Sequence, residues 1–394
     1  MTKNIFFYFL LLAPLTLLSQ IVWDSLPVFP GNSRSAASTF VVGNTAFVMG
    51  GFDCNSYKKT CYSYTDGDTA WKFLADMTGM PRDLAAGFVL NNKIYLGTGH
   101  GPALYSRDFW QYDPVFDYWI QKADFGGSPR HSSTGFAANN TGYIGFGTDT
   151  SGYPQQDFWS YDAAANAWTQ KNDFPSTERR QAATFSIGND AYIVGGDARN
   201  TYLKDCWLYD ATNDTWTQKA DFGGTARYGA VGFVLNNMGH VGLGYDTTFA
   251  YQADIWAYNP AANTWTNVGN YPGGARSGAV AFSVGSGAYI GMGYDGGCRK
   301  SFYGMKINGA TALYSSLFSL QNVRLYPNPA TTSLTFELTK SAQNQLFIYN
   351  SVGKLLQTYK FEGSQFVLER GNLPAATYYY QLSGFGEKGS FVFL

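Results

Sequence analysis

Residues 130–168 read RHSSTGFAANNTGYIGFGTDTSGYPQQDFWSYDAAANAW. The segment starts with an arginine, has Phe136 six residues later, and ends in Trp168, nine residues after Trp159. Three series recur in phase at intervals of 48 or 49 residues: Arg34, Arg82, Arg130, Arg179, Arg227 and Arg276; Phe40, Phe88, Phe136, Phe185, Phe233 and Phe282; and Trp23, Trp71, Trp119, Trp168, Trp216 and Trp265. A fixed period of this length predicts a repeat architecture in which each unit is one supersecondary element.

Each unit has the pattern of four short strands. In the quoted unit and just after it these are RHSSTGF, YIGFGT, DFWSYD and AWTQKN, separated by turns rich in Gly, Asn, Asp and Pro. The composition agrees, since 18% of the residues are aromatic and only 14% are charged. We expect the small residues of the first strand to line a crowded central axis. The aromatic residues of the third and fourth strands should fill the spaces between neighbouring sheets.

Six units of four strands predict an all-β fold, a closed six-bladed β-propeller over residues 20–308. Only five fourth strands lie after Arg34, starting with that of Trp71, so the sixth must come from the strand around Trp23 at the start of the chain. We therefore expect the N-terminal strand to pair with the last unit and close the ring. The alternative, an open solenoid, would expose two edges and has no capping units here.

The unit resembles the kelch repeat, whose period is about 50 residues. The matching features are the double glycines Gly50-Gly51 and Gly195-Gly196, the W-x-Y-D of the third strand, the Pro-Arg that starts several units, and the tryptophan of the fourth strand. In the other four units the double glycine becomes Gly-x-Gly. The resemblance implies a kelch-type β-propeller.

Residues 1–19 have the composition of a secretory signal peptide. Lys3 precedes an apolar run over residues 5–18, and Ser19 supplies a small residue at the expected cleavage site. The run is shorter than the roughly 20 residues that span a bilayer, and Pro14 interrupts it. We expect an exported mature chain without a transmembrane segment; the alternative is an uncleaved membrane anchor.

The repeat stops near residue 308, and a linker over residues 309–321 leads to a second domain over residues 322–394. Alternating segments such as SLTFEL and QLFIYN predict a small β-sandwich there. Tyr326, Pro327, Asn328 and Pro329, with the downstream V-G-K turn, resemble the C-terminal type A sorting domain of type IX secretion cargo in Bacteroidota. The resemblance implies the type IX secretion machinery as a partner, passage across the outer membrane, and release or attachment at the cell surface. The alternative is a generic accessory sandwich.

The chain has four cysteines. In an exported protein, Cys54 and Cys61 could form a disulfide, because they flank the short loop NSYKKT. Two free thiols are the alternative. Cys206, within the strand pattern DCWLYD, is expected to be a buried small apolar residue. No partner for Cys298 is evident from the sequence.

Composition and motifs argue against several functional classes. The 27 Lys and Arg against 28 Asp and Glu leave a net charge of −1, so there is no basic excess to bind nucleic acid. His100, His131 and His240 are far apart in the sequence, and each is expected to be structural rather than a ligand. We find no P-loop, no Ser-His-Asp signature, no metal-spaced carboxylates and no match to the copper site of galactose oxidase. We predict neither a metal nor a cofactor.

The repeated arginines are the candidate binding residues. Each precedes an innermost strand, so six guanidinium groups are predicted around one channel mouth: Arg34, Arg82, Arg130, Arg179, Arg227 and Arg276. Kelch arginines at this position often contact acidic ligands, which suits the planar donor geometry of arginine and favours an acidic sugar or a carboxylate-bearing peptide. Alternatively, the arginines only brace the ring by pairing with the aspartates after the second strand: Asp53, Asp149, Asp197, Asp246 and Asp295. The third-strand aspartates (Asp108, Asp157, Asp205, Asp254) are expected to bond loop to strand, without a catalytic role.

These patterns together favour a recognition module that is secreted or held at the cell surface of a Bacteroidota-type bacterium. Its ligand would be a protein or a glycan bound at the arginine-lined mouth. The alternative is a carbohydrate-active enzyme resembling the kelch-type sialic-acid mutarotases, which also have an Arg-rich channel mouth. A third interpretation is a structural spacer in the cell envelope. The fold alone does not decide among them.

Overall fold

The computed structural model describes residues 20–199, 201–308, 323–326, 330–350, 354–382 and 387–393. The chain divides into two compact units, Met1–Asn308 and Gly309–Leu394. The described residues form strands, turns and loops, without an α-helix. None of them forms a helix with the length and apolarity that a bilayer crossing requires. The predicted all-β fold is confirmed.

Six four-stranded antiparallel sheets, here called blades 1 to 6, make up the described part of residues 20–308. The innermost strands are Ser38–Val42, Ala86–Leu90, Thr134–Ala138, Ala183–Ile187, Val231–Leu235 and Val280–Val284. The second strands are Thr45–Met49, Lys93–Gly97, Thr141–Gly145, Asp190–Asp197, Met238–Gly242 and Gly287–Gly291. The third strands are Cys61–Thr65, Phe109–Asp113, Phe158–Asp162, Tyr202–Asp210, Asp254–Asn259 and Phe302–Asn308. The outermost strands are Lys72–Leu74, Tyr118–Lys122, Ala167–Gln170, Thr215–Lys219, Thr264–Asn270 and, for blade 6, Gln20–Ser25.

The N-terminal strand closes the ring. Gln20–Ser25 pairs antiparallel with Phe302–Asn308, and Trp23 lies opposite Met305. Because Phe302–Asn308 also pairs with the second strand of blade 6, the last sheet is built from both ends of the domain. The predicted closing strand is confirmed, and the open solenoid is excluded.

A ring of backbone hydrogen bonds joins all six blades at one end of the channel. It is formed by the residue two places after each repeated arginine: Ala36, Leu84, Ser132, Gln181, Gly229 and Gly278. The amide of each donates to the carbonyl of its counterpart in the preceding blade, with N···O distances of 2.7–3.1 Å, and Ala36 completes the circle by donating to Gly278. All six have φ between 50° and 62°, a region that side chains other than Gly seldom occupy. Each turn is therefore held in an unusual conformation by its two neighbours.

Aromatic residues fill the spaces between blades, as predicted. Between blades 3 and 4, for example, Phe158 packs edge-on against Tyr209 and Trp216, with ring centroids 4.9 and 5.2 Å apart. Four of the outermost-strand tryptophans also bond to the preceding blade, as where Trp265 Nε1 donates to the carbonyl of Ala220 at 2.9 Å. Apolar contact and a directed bond thus set the angle between neighbouring sheets.

Small residues line the central channel, which has a volume of about 450 Å³. At the narrowest positions there is no room for a side chain. A Cβ atom added to Gly232 would lie 2.2 Å from the carbonyl oxygen of Thr184, and one on Gly135 would lie 2.5 Å from that of Gly87. The expected crowding of the axis is confirmed.

Gly232→Ala is expected to lower the free energy of unfolding by about 1–3 kcal/mol, because blades 4 and 5 must separate to admit the methyl group. Gly297→Ala is the matched control, since a Cβ at Gly297 meets nothing within 4 Å. Urea unfolding of the two variants measures the difference. Equal stability of both would contradict the crowding.

The C-terminal unit contains Val323–Tyr326, Ser333–Tyr349, Leu355–Glu369, Ala376–Leu382 and Glu387–Phe393. These form one five-stranded sheet rather than two separate ones. The first half of Ser333–Tyr349 pairs with Val323–Tyr326 and the second half with Ala376–Leu382, yet Phe336 and Ile348 share one core. Both halves of the longest strand therefore pack into one core, in agreement with the predicted small β-sandwich.

Several predictions concern residues outside the described part of the chain. These are the signal peptide over residues 1–19, the linker over residues 309–321, and Pro327, Asn328 and Pro329 of the sorting motif. Tyr326 is the last residue of the first strand of the C-terminal unit.

Candidate functional site

The six repeated arginines are buried within the propeller. Their exposed fractions are 0–3% for Arg34, Arg82, Arg130, Arg179, Arg227 and Arg276. Each Nε donates to the carbonyl two residues earlier, and each Nη1 donates to the carbonyl at the end of the second strand of its own blade. The fold uses most of their donors and covers them, so the geometry favours the bracing alternative over the predicted binding of an acidic ligand. They brace the ring.

In blades 2 to 5 the arginine also pairs with the aspartate two residues before the third-strand tryptophan. In blade 4, Arg179 Nη1 and Nη2 each donate to a carboxylate oxygen of Asp205 at 2.8 Å, and Trp207 Nε1 donates to the same carboxylate. Burial alone would raise the pKa of Asp205, but the bonds from Arg179 hold it below its ordinary value. The equivalent pairs are Arg82–Asp108, Arg130–Asp157 and Arg227–Asp254. The bracing partners are thus the third-strand aspartates and not those after the second strand.

Blades 1 and 6 lack this carboxylate. Thr60 and Ser301 accept bonds from Arg34 and Arg276 where the other blades have aspartate. Burial lowers the pKa of Arg34, as expected for a cation with no adjacent carboxylate. The two blades that flank the ring closure therefore have the weakest internal bracing.

A disulfide joins these same two blades. Cys54 and Cys298 are bonded, with Cα atoms 5.8 Å apart, and each lies between the second and third strands of its blade. The predicted Cys54–Cys61 disulfide is wrong, because Cys61 is the first residue of a third strand and is fully buried, whereas Cys54 lies in an exposed loop. Cys61 is a free thiol, and Cys206 is a buried free thiol as predicted. The pairing was hidden from the sequence because only ring closure brings Cys298 beside blade 1.

The residue after each repeated arginine begins a short bridged ladder on the face of the propeller formed by the long loops. It pairs with a residue after the second strand, which pairs in turn with one before or at the start of the third strand. The inner positions are Ser35, Asp83, His131, Arg180, Tyr228 and Ser277; the middle ones are Phe52, His100, Thr148, Asp197, Tyr245 and Tyr294; the outer ones are Tyr57, Tyr105, Pro154, Tyr202, Tyr251 and Cys298. We call these eighteen residues the collar. The residue types at the collar positions differ between blades, whereas the arginine next to the inner position is the same in all six. The collar is therefore the part of the repeat that differs most from blade to blade.

Two aromatic arcs make up most of the collar. The first runs through Phe52, Tyr57, His100, Tyr105 and His131, and the second through Tyr202, Tyr228, Tyr245, Tyr251 and Tyr294. Neighbouring ring centroids are 4.4–6.1 Å apart, and the rings are half-buried or exposed. The Arg180–Asp197 ion pair separates the arcs on one side and the disulfide on the other. Beneath the collar, a cavity of about 150 Å³ is lined by the two residues that follow each inner position.

Titratable groups concentrate in the first arc. Burial raises the pKa of Asp83 to about 7, and its Oδ1 has no hydrogen-bond partner among the described residues. Burial, together with the nearby His100 and Arg180, lowers the pKa of His131 to about 4, so this ring is neutral at pH 7. The hydroxyl of Tyr57 lies 3.0 Å from His100 Nδ1. Among the described residues, no group of three or more His, Cys, Asp or Glu side chains is placed to hold a metal ion.

Comparison with known proteins agrees with this geometry. The family model described as Kelch motif matches residues 178–223, and the one described as Secretion system C-terminal sorting domain matches residues 324–390. Residues 20–308 form a β-propeller that carries a kelch motif, and the C-terminal unit carries a sorting domain. The solved structure of YjhT is similar to this kelch propeller, with 15% sequence identity and a TM-score of 0.62 over 70% of this chain and 95% of that chain. No curated protein matches the chain. The sorting domain implies export and the type IX secretion machinery as a partner.

The collar was not evident from the repeat pattern. His100 and His131 are far apart in the sequence, but their ring centroids are 5.6 Å apart because adjacent blades place equivalent loops side by side. His240, in contrast, is fully buried and stacked on Phe233, as expected of a structural histidine. The available signal was the position after each arginine, which varies where the repeat is otherwise constant.

Proposed function

We propose that this protein is an exported recognition module that binds a glycan on its collar, acting in the medium or at the surface of a Bacteroidota-type cell. The observation that carries the proposal is the pair of aromatic arcs around one mouth of the channel. Sugar rings present C–H faces that stack on aromatic rings, and tyrosine adds a hydroxyl that bonds to sugar hydroxyls. The proposed binding site is therefore formed by the collar residues beside the arginines and not by the buried arginines themselves.

The rigidity of the collar supports binding rather than a purely structural role. Backbone bridges hold the inner, middle and outer positions of the collar in place. The circle of hydrogen bonds formed by Ala36 and its equivalents lies directly below the collar. A preformed site loses little conformational entropy when a ligand binds. A structural spacer would not need partly exposed aromatic residues gathered at one mouth.

A glycan array tests the proposal. Replacing Tyr245 and Tyr251 together by alanine is expected to weaken binding about tenfold or more, because it removes two adjacent rings of the second arc. Tyr118→Ala is the matched control, since Tyr118 is 43% exposed on the outermost strand of blade 2. Unchanged binding by the double variant, or binding of a protein ligand and no glycan, would overturn the proposal.

Asp83 favours a second candidate, the carbohydrate-active enzyme. A buried carboxyl with a pKa near 7, in the same collar as the neutral His131, is suited to proton transfer on a bound sugar. Proton NMR of anomer interconversion, with sialic acid and with neutral hexoses, separates the two candidates. A rate above buffer that Asp83→Asn abolishes would establish the enzyme, whereas a pure binder leaves the buffer rate unchanged.

A further inference from the structure

We infer that the Arg180–Asp197 pair makes the collar select uncharged, hydroxyl-bearing sugars and reject carboxylated ones. This inference rests on the proposed glycan binding and names its ligand class. Arg180 and Asp197 occupy the inner and middle collar positions of blade 4, where blade 5 has Tyr228 and Tyr245. They form the one charged break between the aromatic arcs, so a ligand that spans both arcs must pass over them.

The positive charge at this break is already used. Arg180 Nε and Nη2 both donate to Asp197 Oδ2, at 2.8 and 2.6 Å. The side chain of Asp197 is 3% exposed and that of Arg180 is 35% exposed, so the carboxylate lies beneath the guanidinium and neutralises it from below. The neighbouring Arg199 stacks on Tyr153, with its guanidinium carbon 4.0 Å from the ring centroid. A carboxylated ligand would therefore find the guanidinium of Arg180, at the break itself, already compensated by Asp197.

The buried side-chain atoms around this break that lack a hydrogen-bond partner in the described part of the chain are oxygens. Asp197 Oδ1, Thr148 Oγ1 and Asp83 Oδ1 are buried, and none has a hydrogen-bond partner in the described residues. Both aspartates lie in the collar, on either side of His131. Oxygens without donors leave uncompensated negative partial charge just beneath the collar surface. A carboxylate brings only acceptors and a like charge, so the same atoms repel it.

The six repeated arginines are buried and offer no exposed positive charge to a ligand. Four of the six form ion pairs within the blades, with Asp108, Asp157, Asp205 and Asp254. Burial also raises the pKa of Asp83 to about 7. The collar thus presents aromatic faces and hydrogen-bond acceptors, which match a neutral sugar.

Binding of a neutral oligosaccharide and of its uronic-acid counterpart, measured by calorimetry on the full chain, tests the inference. The wild type is expected to prefer the neutral sugar about tenfold or more. Asp197→Asn leaves Arg180 without its counter-charge and is expected to shift this ratio about tenfold towards the acidic sugar. Arg180→Gln leaves the carboxylate alone and is expected to shift it the other way.

Opposite shifts of the affinity ratio in the two variants distinguish a change of selectivity from misfolding, because misfolding would weaken the binding of both sugars alike. Asp124→Asn is the matched control, since Asp124 belongs to the exposed ion pair with Arg107. A wild-type preference for the acidic sugar, or an unchanged ratio in Asp197→Asn, would overturn this inference and leave glycan binding intact. Failure of the wild type to bind either sugar would overturn the proposed function and this inference with it.

Discussion

Replacing both Cys54 and Cys298 by serine is expected to lower the free energy of unfolding by about 5 kcal/mol. The disulfide links residues separated by 244 positions, and a cross-link over so long a loop removes much of the conformational entropy of the unfolded chain. It also holds together blades 1 and 6, whose arginines lack a paired aspartate. Urea unfolding of the oxidised wild type and of the double variant gives the difference.

Reduction supplies the control for this prediction. A reducing agent should destabilise the wild type to the level of the double variant and leave the variant unchanged. Thiol counting under denaturing, non-reducing conditions should find two reactive groups, Cys61 and Cys206. Four reactive thiols in the exported protein would show that the bond does not form.

Asp205→Ala is expected to lower the free energy of unfolding by about 3–5 kcal/mol. The change leaves Arg179, with an exposed fraction of 0%, as a buried cation without its counter-charge, and also removes the acceptor for Trp207 Nε1. Chemical denaturation measures the loss. A loss below about 1 kcal/mol would mean that the pair contributes no more than a surface ion pair.

The reverse substitution is the matched test of the same interaction. Thr60→Asp places a carboxylate beside Arg34, at the position that Asp108 and its equivalents occupy in blades 2 to 5. This variant is expected to be more stable than the wild type, because a charged acceptor replaces a neutral one. A gain here and a loss in Asp205→Ala together assign the effect to the pair.

The architecture of the propeller was predictable from the sequence, because its signals are periodic. Trp23 and Phe282 belong to series with one period, so the missing outer strand of the last unit could be assigned to the N-terminus. The crowded axis was predictable for a similar reason, since Gly135 and Gly232 occupy the same repeat position. A pattern repeated six times averages out local exceptions.

The candidate site was not predictable in this way, because it consists of the collar positions, at which the residue type differs from one repeat to the next. The constancy of Arg179 and its equivalents suggested a binding site, but a residue kept in every blade serves what every blade needs, which is bracing. The spacing of 26 or 27 residues from arginine to third-strand aspartate was present in four units and would have indicated the pairing. The contact between His100 and His131 depends on the angle between blades, which no local pattern encodes.

The strand Gln20–Ser25 has a consequence for how the chain is made. It is the earliest part of the propeller to be synthesised, yet its partner, Phe302–Asn308, is the latest. In a nascent chain this strand therefore has no pairing partner, and the ring cannot close before residue 308 has emerged from the ribosome. Long-range pairing of this kind folds slowly. Such a delay keeps the polypeptide loose during translation, which is the form that a secretory translocon can thread.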